Sequence, residues 1–234
     1  MVLAKSMESL MEGNSVIRKM FELGREMAKK YGKDAVYDFS LGNPVAEVPY
    51  EVKNAIISLL ENQDPHEIHG YMQNAGFEDV REAVAEHLKK RFSVDYTKEN
   101  ILLCAGAAGG LNILARCLLD EEDEVLCFAP YFTEYKSYVS HYKGKLTVIP
   151  VKENDFSLNV EEAEKRIGRR TKAVILNNPN NPSGIIYSEE ELRALALMLE
   201  KAEERVGHPI YLICDEPYRE LAYDGREVLF MPKL

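Results

Sequence analysis

The sequence lacks the features that mark several large classes of protein. Its 234 residues carry a formal net charge of −10, whereas nucleic-acid binding depends on clustered Lys and Arg that neutralise phosphates. No apolar run approaches the roughly 18 residues of a membrane span. The first residues contain no continuous apolar stretch of the kind found in a signal peptide. We therefore expect a cytoplasmic protein that binds neither nucleic acid nor membrane.

Cysteine is scarce, and its spacing is not that of a metal site. Each cysteine lies in an apolar segment and none belongs to a C-x-x-C pair, which argues against zinc. The four are Cys104, Cys117, Cys127 and Cys214. His66 and His69 flank Glu67, but this spacing is not H-E-x-x-H and a third ligand is not evident. We expect buried, reduced thiols and no metal centre.

Short strands alternate with helices over most of the chain. Apolar residues make up 46% of the sequence, and short apolar runs bounded by turn residues predict buried strands. The predicted strands are residues 36–41, 101–104, 124–128, 146–151, 172–176 and 210–214. The predicted helices are residues 15–31, 49–62, 77–92, 111–119, 160–167 and 188–206, with a polar connector at 63–70. The alternation predicts an α/β fold with a mainly parallel sheet and helices on both faces.

The helix predicted over residues 188–206 has the clearest boundaries. Ser188 and Glu191 form a capping box at its start, and Gly207 follows its end. Ser15 is the predicted N-cap of the first helix.

Unusual loops follow four of the predicted strands. They are residues 106–110, 129–132, 177–184 and 215–218. Ligands of open α/β sheets bind beyond the carboxyl ends of the strands. Since parallel strands end at the same edge of a sheet, we expect the four loops to converge on one site.

Each loop has a plain interpretation and a functional one. Residues 106–110 (GAAGG) offer free N–H groups to a phosphate at a helix start, or simply allow close packing. Phe132 can stack on a flat ring or belong to the core. Residues 177–184 (NNPNNPSG) form a stiff turn or present amides to a ligand. Asp215 follows a buried strand, where a carboxylate is costly unless paired, and a cationic ligand is one such partner.

Taken together, these residues resemble the class I/II aminotransferases of the fold-type-I pyridoxal-phosphate enzymes. The resemblance runs from about Tyr37 to the last residues, and its most specific motifs are the pair Asn-Asn-Pro-Asn-Asn-Pro-Ser-Gly and Asp-Glu-Pro-Tyr. The weaker motifs are residues 41–44, 70–76 with 80–83, 106–108 and 129–132. The resemblance implies an incomplete large domain of this transferase fold over residues 46–234. Residues 1–45 would form a short helical N-terminal arm, part of a small domain.

The resemblance implies a site for pyridoxal 5'-phosphate and a role for each of four side chains. Asn181 and Tyr218 would bond the phenolic oxygen of the pyridine ring. Asp215 would accept a hydrogen bond from the protonated ring nitrogen, which makes the ring an electron sink. Phe132 would stack on the ring.

The resemblance also implies contacts to the phosphate, the substrate and a second subunit. The backbone N–H groups of Ala107 and Ala108 would hold the phosphate, although many relatives carry a hydroxyl residue where Ala108 stands. Tyr71 would reach the phosphate of the neighbouring subunit, which implies a homodimer. Gly42 would lie near the substrate carboxylate.

One part of the family pattern is missing from these 234 residues. The family's Schiff-base lysine, usually in a Ser-x-x-Lys setting, follows the Asp-x-x-Tyr motif by a few tens of residues. Lys233 is the only lysine after Tyr218 and lacks that setting, so we assign no catalytic residue. The family's phosphate-binding and carboxylate-binding arginines and its C-terminal domain are also absent. We therefore expect a fragment of a longer enzyme, inactive alone.

The expected reaction is amino transfer between an amino acid and a 2-oxo acid, in a biosynthetic process. A carbon–sulfur β-lyase of the same fold is an alternative, because the residues that would separate the two reactions are not in the chain. Another alternative is a non-catalytic, truncated protein that holds the cofactor or regulates a partner.

Overall fold

The computed structural model describes residues 16–39, 42, 46–152 and 155–234. Internal contacts divide the chain between Tyr71 and Met72. We call the two parts the N-terminal unit and the C-terminal unit. The domain boundary expected after residue 45 remains a prediction.

The described part of the N-terminal unit is helical. Its helices are α1 (Val16–Tyr31), α2 (Tyr50–Asn62) and α3 (Pro65–His69), with a 3₁₀ helix over Lys33–Ala35. The first two were predicted. Residues 36–39 form no strand, which corrects that part of the prediction at 36–41. Residues 40 and 41 and the N-cap predicted at Ser15 lie outside the described residues.

Helix α3 replaces most of the polar connector predicted at residues 63–70. The carboxylate of Asp64 accepts a hydrogen bond from the N–H of His66 at 2.8 Å, and Pro65 occupies the first helical position. Both features favour the start of a helix. The prediction failed because this start lacks the apolar periodicity by which longer helices are recognised.

The C-terminal unit contains a four-stranded parallel sheet. Its strands are β1 (Glu124–Phe128), β2 (Lys145–Ile149), β3 (Thr171–Asn177) and β4 (Tyr211–Asp215), in the order β2-β1-β3-β4. All three neighbouring pairs are parallel. The predicted mainly parallel sheet is therefore confirmed, and β3 and β4 end side by side, with Asn177 opposite Asp215.

The described residues of the C-terminal unit also form five α-helices. They are α4 (Glu78–Phe92), α5 (Gly106–Leu118), α6 (Glu134–Ser140), α7 (Val160–Arg166) and α8 (Glu189–Val206). Short 3₁₀ helices cover Lys98–Asn100, Arg219–Leu221 and Met231–Lys233. The capping box of Ser188 and Glu191 is present at the start of α8, and Gly207 ends that helix with φ of 83°. Helix α6 was not predicted.

The core lies on both faces of the sheet, because alternate residues of a strand point to opposite sides. Leu126 and Val174 belong to a cluster completed by side chains of α7 and α8. Their neighbours Val125 and Ala173 belong to a second cluster, completed by side chains of α5 and α6. The sheet is therefore covered by helices on both faces, as the sequence predicts.

The prediction of a strand at residues 101–104 is wrong. These residues pair with no strand of the sheet, and the N–H of Leu103 instead donates to the carbonyl of Ala75 at 2.9 Å. Local sequence predicts an extended segment, whereas a strand also needs a partner supplied from elsewhere in the chain. The following helix starts at Gly106, five residues before the predicted start.

The cysteines are free, but two of them are not buried as expected. Cys127 is buried and Cys214 half-buried, whereas Cys104 and Cys117 are exposed. Both exposed cysteines lie near or on α5, away from the strand interiors. None of the helices in the described ranges combines the length and apolar character needed to cross a bilayer.

Candidate active site

A pocket of about 230 Å³ lies at the carboxyl ends of β3 and β4. It is lined by residues from all four of the unusual loops and from α5 and α6, namely Ala107, Ala108, Leu111, Phe132, Tyr138, Asn177, Asn181, Asp215, Pro217 and Tyr218. Six of the eight predicted site residues are thus brought together. The other two, Gly42 and Tyr71, are exposed residues of the N-terminal unit, and their roles remain predictions.

Two asparagines of residues 177–184, the Asn loop, serve the fold of that loop. The buried Asn178 accepts a hydrogen bond from the N–H of Tyr187 at 3.1 Å. The buried Asn180 accepts one from the hydroxyl of Ser183 at 2.7 Å and donates to the carbonyl of Pro130 at 3.1 Å. These amides stiffen the turn and tie it to the loop after β1, so the plain interpretation holds for them.

Asn177 connects the Asn loop to β4, a role that the sequence analysis did not assign. Its side-chain amide donates to the backbone carbonyl of Asp215 at 2.9 Å. Its side-chain oxygen accepts the backbone N–H of Asn181 at 2.5 Å. Asn177 therefore fixes the separation between Asp215 and Asn181. Only the pairing of β3 with β4 reveals this role, because nothing in the local sequence identifies which amide bridges the two loops.

Asn181 and Tyr218 form a polar pair on the pocket wall. The Nδ2 of Asn181 donates to the Tyr218 hydroxyl at 2.9 Å, and both side chains are half-buried. Within the described residues, the hydroxyl has no acceptor for its own proton. The pair can therefore donate two further hydrogen bonds, one from each side chain, to an oxygen in the pocket.

Asp215 is a half-buried carboxylate with only one oxygen engaged. Its Oδ2 accepts a hydrogen bond from the hydroxyl of Tyr135 at 2.5 Å. No donor to Oδ1 and no cation beside this carboxylate is found in the described ranges. Strand β4 is partly exposed rather than buried as predicted, but a half-buried carboxylate is still stabilised by a cationic partner. The geometry therefore suits a ligand that carries a protonated nitrogen.

Tyr135 is a site residue that the sequence analysis missed. It is 1% exposed and lies on α6, three residues after Phe132. Burial and, next, the hydrogen bond to Asp215 raise its pKa well above the usual value of a phenol, so it remains a donor. The rings of Tyr135 and Phe132 meet edge to face, with centroids 5.7 Å apart. Without predicting α6, the sequence offered no signal for this residue.

The start of α5 supplies backbone donors to the same pocket. The N-cap residue Ala105 makes no side-chain capping hydrogen bond. Ala107 and Ala108 lie in the first turn, where N–H groups have no acceptor within the helix. Both residues are exposed and line the pocket. Gly106 has φ of 70°, a conformation that favours glycine. Such a helix start attracts anions.

Metal ligation is not a feature of the described part of the chain. No group of three or more His, Cys, Asp or Glu side chains there is arranged to hold a metal ion. His66 and His69 both lie on α3 in the N-terminal unit.

Comparison with known proteins links this geometry to one family. The family model described as aminotransferase class I and II matches residues 35–232. Over 189 residues the chain is 35% identical to a probable aspartate/prephenate aminotransferase of Aquifex aeolicus (strain VF5), covering 80% of the chain and 45% of that protein. Over 207 residues it is 30% identical to an aspartate aminotransferase of Bacillus subtilis (strain 168), covering 88% and 50%. The chain spans about half the length of the curated relatives it matches.

Solved structures agree with this assignment. An amino transferase from Eubacterium rectale superimposes with a TM-score of 0.94 at 40% identity, covering all of this chain and 59% of that one. The aspartate aminotransferase from Thermus thermophilus with maleate gives a TM-score of 0.79 at 28% identity, covering 92% and 53%. The predicted family is therefore confirmed: the chain belongs to the class I and II aminotransferases.

Proposed function

We propose that the pocket binds pyridoxal 5'-phosphate and that the protein transfers an amino group between an amino acid and a 2-oxo acid. The observation that carries this proposal is the Asp215 carboxylate, which has one oxygen held by Tyr135 and the other free. Family membership supports the cofactor assignment, because class I and II aminotransferases generally use pyridoxal phosphate. The curated relatives named above as aminotransferases support the reaction.

The residues of the pocket fit the cofactor in charge and in chemistry. Asp215 would accept a hydrogen bond from the protonated ring nitrogen. Asn181 and Tyr218 would donate to the phenolic oxygen.

The phosphate and the ring face have matching partners as well. The free N–H groups of Ala107 and Ala108 at the start of α5 would hold the phosphate. Phe132 lines the pocket and would stack on the ring, which keeps water from that face.

The cofactor, when bound, supplies an electron sink for negative charge that develops on the substrate. The residues of this chain bind and orient it. Asp215 keeps the proton on the ring nitrogen because an anion nearby favours the charged form. Asn181 and Tyr218 fix the rotation of the ring. No residue of this chain is assigned to proton transfer.

The proposal extends to the assembly that contains this site. Tyr71 would reach the phosphate in the neighbouring subunit of a homodimer, and Gly42 would lie near the substrate carboxylate. Residues 46–234 would form the cofactor-binding large domain, preceded by an N-terminal arm. The enzyme would act in the cytoplasm, in a biosynthetic process.

Binding of pyridoxamine 5'-phosphate tests the cofactor assignment. This probe carries an amine in place of the aldehyde, so it forms no adducts with surface lysines. We expect saturable binding in isothermal titration calorimetry. Asp215→Ala should weaken this binding by about 10- to 100-fold, which corresponds to the free energy of one hydrogen bond to a charged partner.

The matched control is Asp79→Ala, which removes an exposed carboxylate from the same unit and should leave the affinity unchanged. Absence of saturable binding by the unsubstituted chain would refute the cofactor assignment. The reaction itself is tested in a form of the enzyme that also contains the family's Schiff-base lysine, by the appearance of a new amino acid from a supplied amino acid and 2-oxo acid.

A further inference from the structure

We propose that Tyr135 is a positioning residue for the cofactor: its hydroxyl holds one oxygen of Asp215 so that the other faces the ring nitrogen. This inference rests on the proposed function and deepens it. Tyr135 lies on α6, 80 residues before Asp215 in the sequence, and it was not among the predicted site residues.

The surroundings of Tyr135 give its hydroxyl one task. The side chain is 1% exposed and belongs to the apolar cluster formed by β1, β3, α5 and α6. A hydroxyl in such a cluster is costly unless it is hydrogen-bonded. Its partner is Oδ2 of Asp215, at 2.5 Å. A phenylalanine would fill the same volume, so the hydroxyl adds only this contact.

The contact determines what Asp215 can do. It fixes the rotation of the carboxylate about its last bond and leaves Oδ1 as the oxygen without a protein donor in the described ranges. An oriented carboxylate with one open oxygen can accept a hydrogen bond from a protonated ring nitrogen.

The neighbouring titratable groups do not compete for this role. Cys127 on β1 and Tyr218 after β4 are the other titratable groups that act on Tyr135. Burial raises the pKa of the Cys127 thiol to about 12, so it is neutral at physiological pH. Burial also raises the pKa of Tyr135. The proton therefore stays on the Tyr135 hydroxyl and is donated to Asp215.

Tyr135 also contacts the residue proposed to stack on the ring. Its ring meets that of Phe132 at an angle of 82°, with centroids 5.7 Å apart. One buried side chain thus supports two contacts to the cofactor. The ring contact survives a change to phenylalanine and the hydrogen bond does not, so the two can be separated.

The experiment compares Tyr135→Phe with Tyr142→Phe. Tyr142 packs against the same apolar cluster and makes no side-chain hydrogen bond within the described residues, so its variant controls for loss of a hydroxyl. The probes are pyridoxamine 5'-phosphate labelled with ¹⁵N in the ring and its 1-deaza analogue, in which carbon replaces the ring nitrogen. Affinity is measured by calorimetry, and ring protonation by the ¹⁵N chemical shift across a pH series.

We expect Tyr135→Phe to weaken binding of pyridoxamine phosphate about tenfold and to lower the pH at which the bound ring loses its proton by about one unit. Binding of the deaza analogue should not change. Tyr142→Phe should alter neither measurement, and Tyr135→Phe should add nothing in an Asp215→Ala background.

Each other outcome contradicts the inference in a recognisable way. Equal weakening of both probes would show a packing role and overturn it. Unchanged affinity and protonation in Tyr135→Phe would overturn it while leaving the proposed function intact. Absence of binding by the unsubstituted protein would refute the proposed function and this inference together. Should Tyr135→Phe not fold, the unsubstituted protein must show a downfield hydroxyl proton resonance that Asp215→Ala abolishes, and its absence would refute the hydrogen bond.

Discussion

Two asparagines of the Asn loop, Asn177 and Asn181, should respond differently to substitution by alanine. Asn177 is 5% exposed and bridges two backbone groups, whereas Asn181 is half-buried and faces the pocket. We expect Asn177→Ala to lower the free energy of unfolding much more than Asn181→Ala does. Among variants that remain folded, we expect Asn181→Ala to weaken binding of pyridoxamine phosphate more than Asn177→Ala does.

The magnitude for Asn177→Ala follows from its two hydrogen bonds. Removal of its oxygen leaves the N–H of Asn181 without its acceptor, which costs about 1–3 kcal/mol. Removal of its amide costs less, because the carbonyl of Asp215 still accepts the N–H of Asn178 at 3.2 Å. The sum is about 2–3 kcal/mol.

For Asn181→Ala the loss is smaller. The side chain makes one hydrogen bond, to the Tyr218 hydroxyl at 2.9 Å, in a pocket that water can enter. Such a bond contributes about 0.5–1.5 kcal/mol, and water can replace the missing partner. Binding should nevertheless fall by about tenfold, since the phenolic oxygen loses a donor.

Urea unfolding followed by far-ultraviolet circular dichroism measures the stability difference, and calorimetry measures the binding. Equal losses of stability in the two variants would refute the assignment of Asn177 to the fold and Asn181 to the ligand. A loss below about 0.5 kcal/mol for Asn177→Ala, the size expected of a surface substitution, would refute it as well.

Three further predictions concern the rest of the C-terminal unit. Leu195→Ala, at a fully buried position of α8, should cost about 2–5 kcal/mol in urea unfolding, whereas Leu197→Ala on the exposed side of that helix should cost less than about 0.5 kcal/mol. Mass spectrometry after alkylation of the native protein should show Cys127 and Cys214 unmodified, because burial raises the pKa of both thiols to about 12. Partial burial raises the pKa of Glu191, but hydrogen bonds from nearby donors outweigh this and place it below its usual value of 4.5. Its contribution to stability is therefore present above that pH and lost as the pH falls through the lowered pKa, and Glu191→Gln should remove this part of the pH dependence.

Much of the C-terminal unit could be predicted from the sequence because its signals are local. The strand over residues 171–177 is an apolar run that ends in turn residues, and α8 has its own capping box and stop. Such signals need no knowledge of the partner strand or helix. Three of the four unusual loops were found for the same reason, since residues 129–132, 177–184 and 215–218 each follow a strand that the structure contains.

The features that could not be predicted from the sequence depend on contacts between segments that are far apart in the chain. Residues 101–104 have the composition of a strand but no partner in the sheet. Tyr135 became a site residue only when α6 placed its hydroxyl against a carboxylate 80 residues away. Asn177 became a bridge only through the register of β3 with β4. Composition identifies residues that are able to bind, but the pairing of segments decides which of them meet.

Strand register sets the geometry proposed for the cofactor. Asn177 and Asp215 are directly opposite each other at the ends of β3 and β4, and the Asn177 side chain extends that pairing to the backbone of Asn181. The proposed partners of the ring nitrogen and of the phenolic oxygen are therefore spaced by the sheet itself. A slip of one residue between the strands would turn these side chains to opposite faces and break both bonds of Asn177. We therefore expect Asn177 to position Asn181, although only Asn181 is proposed to contact the cofactor.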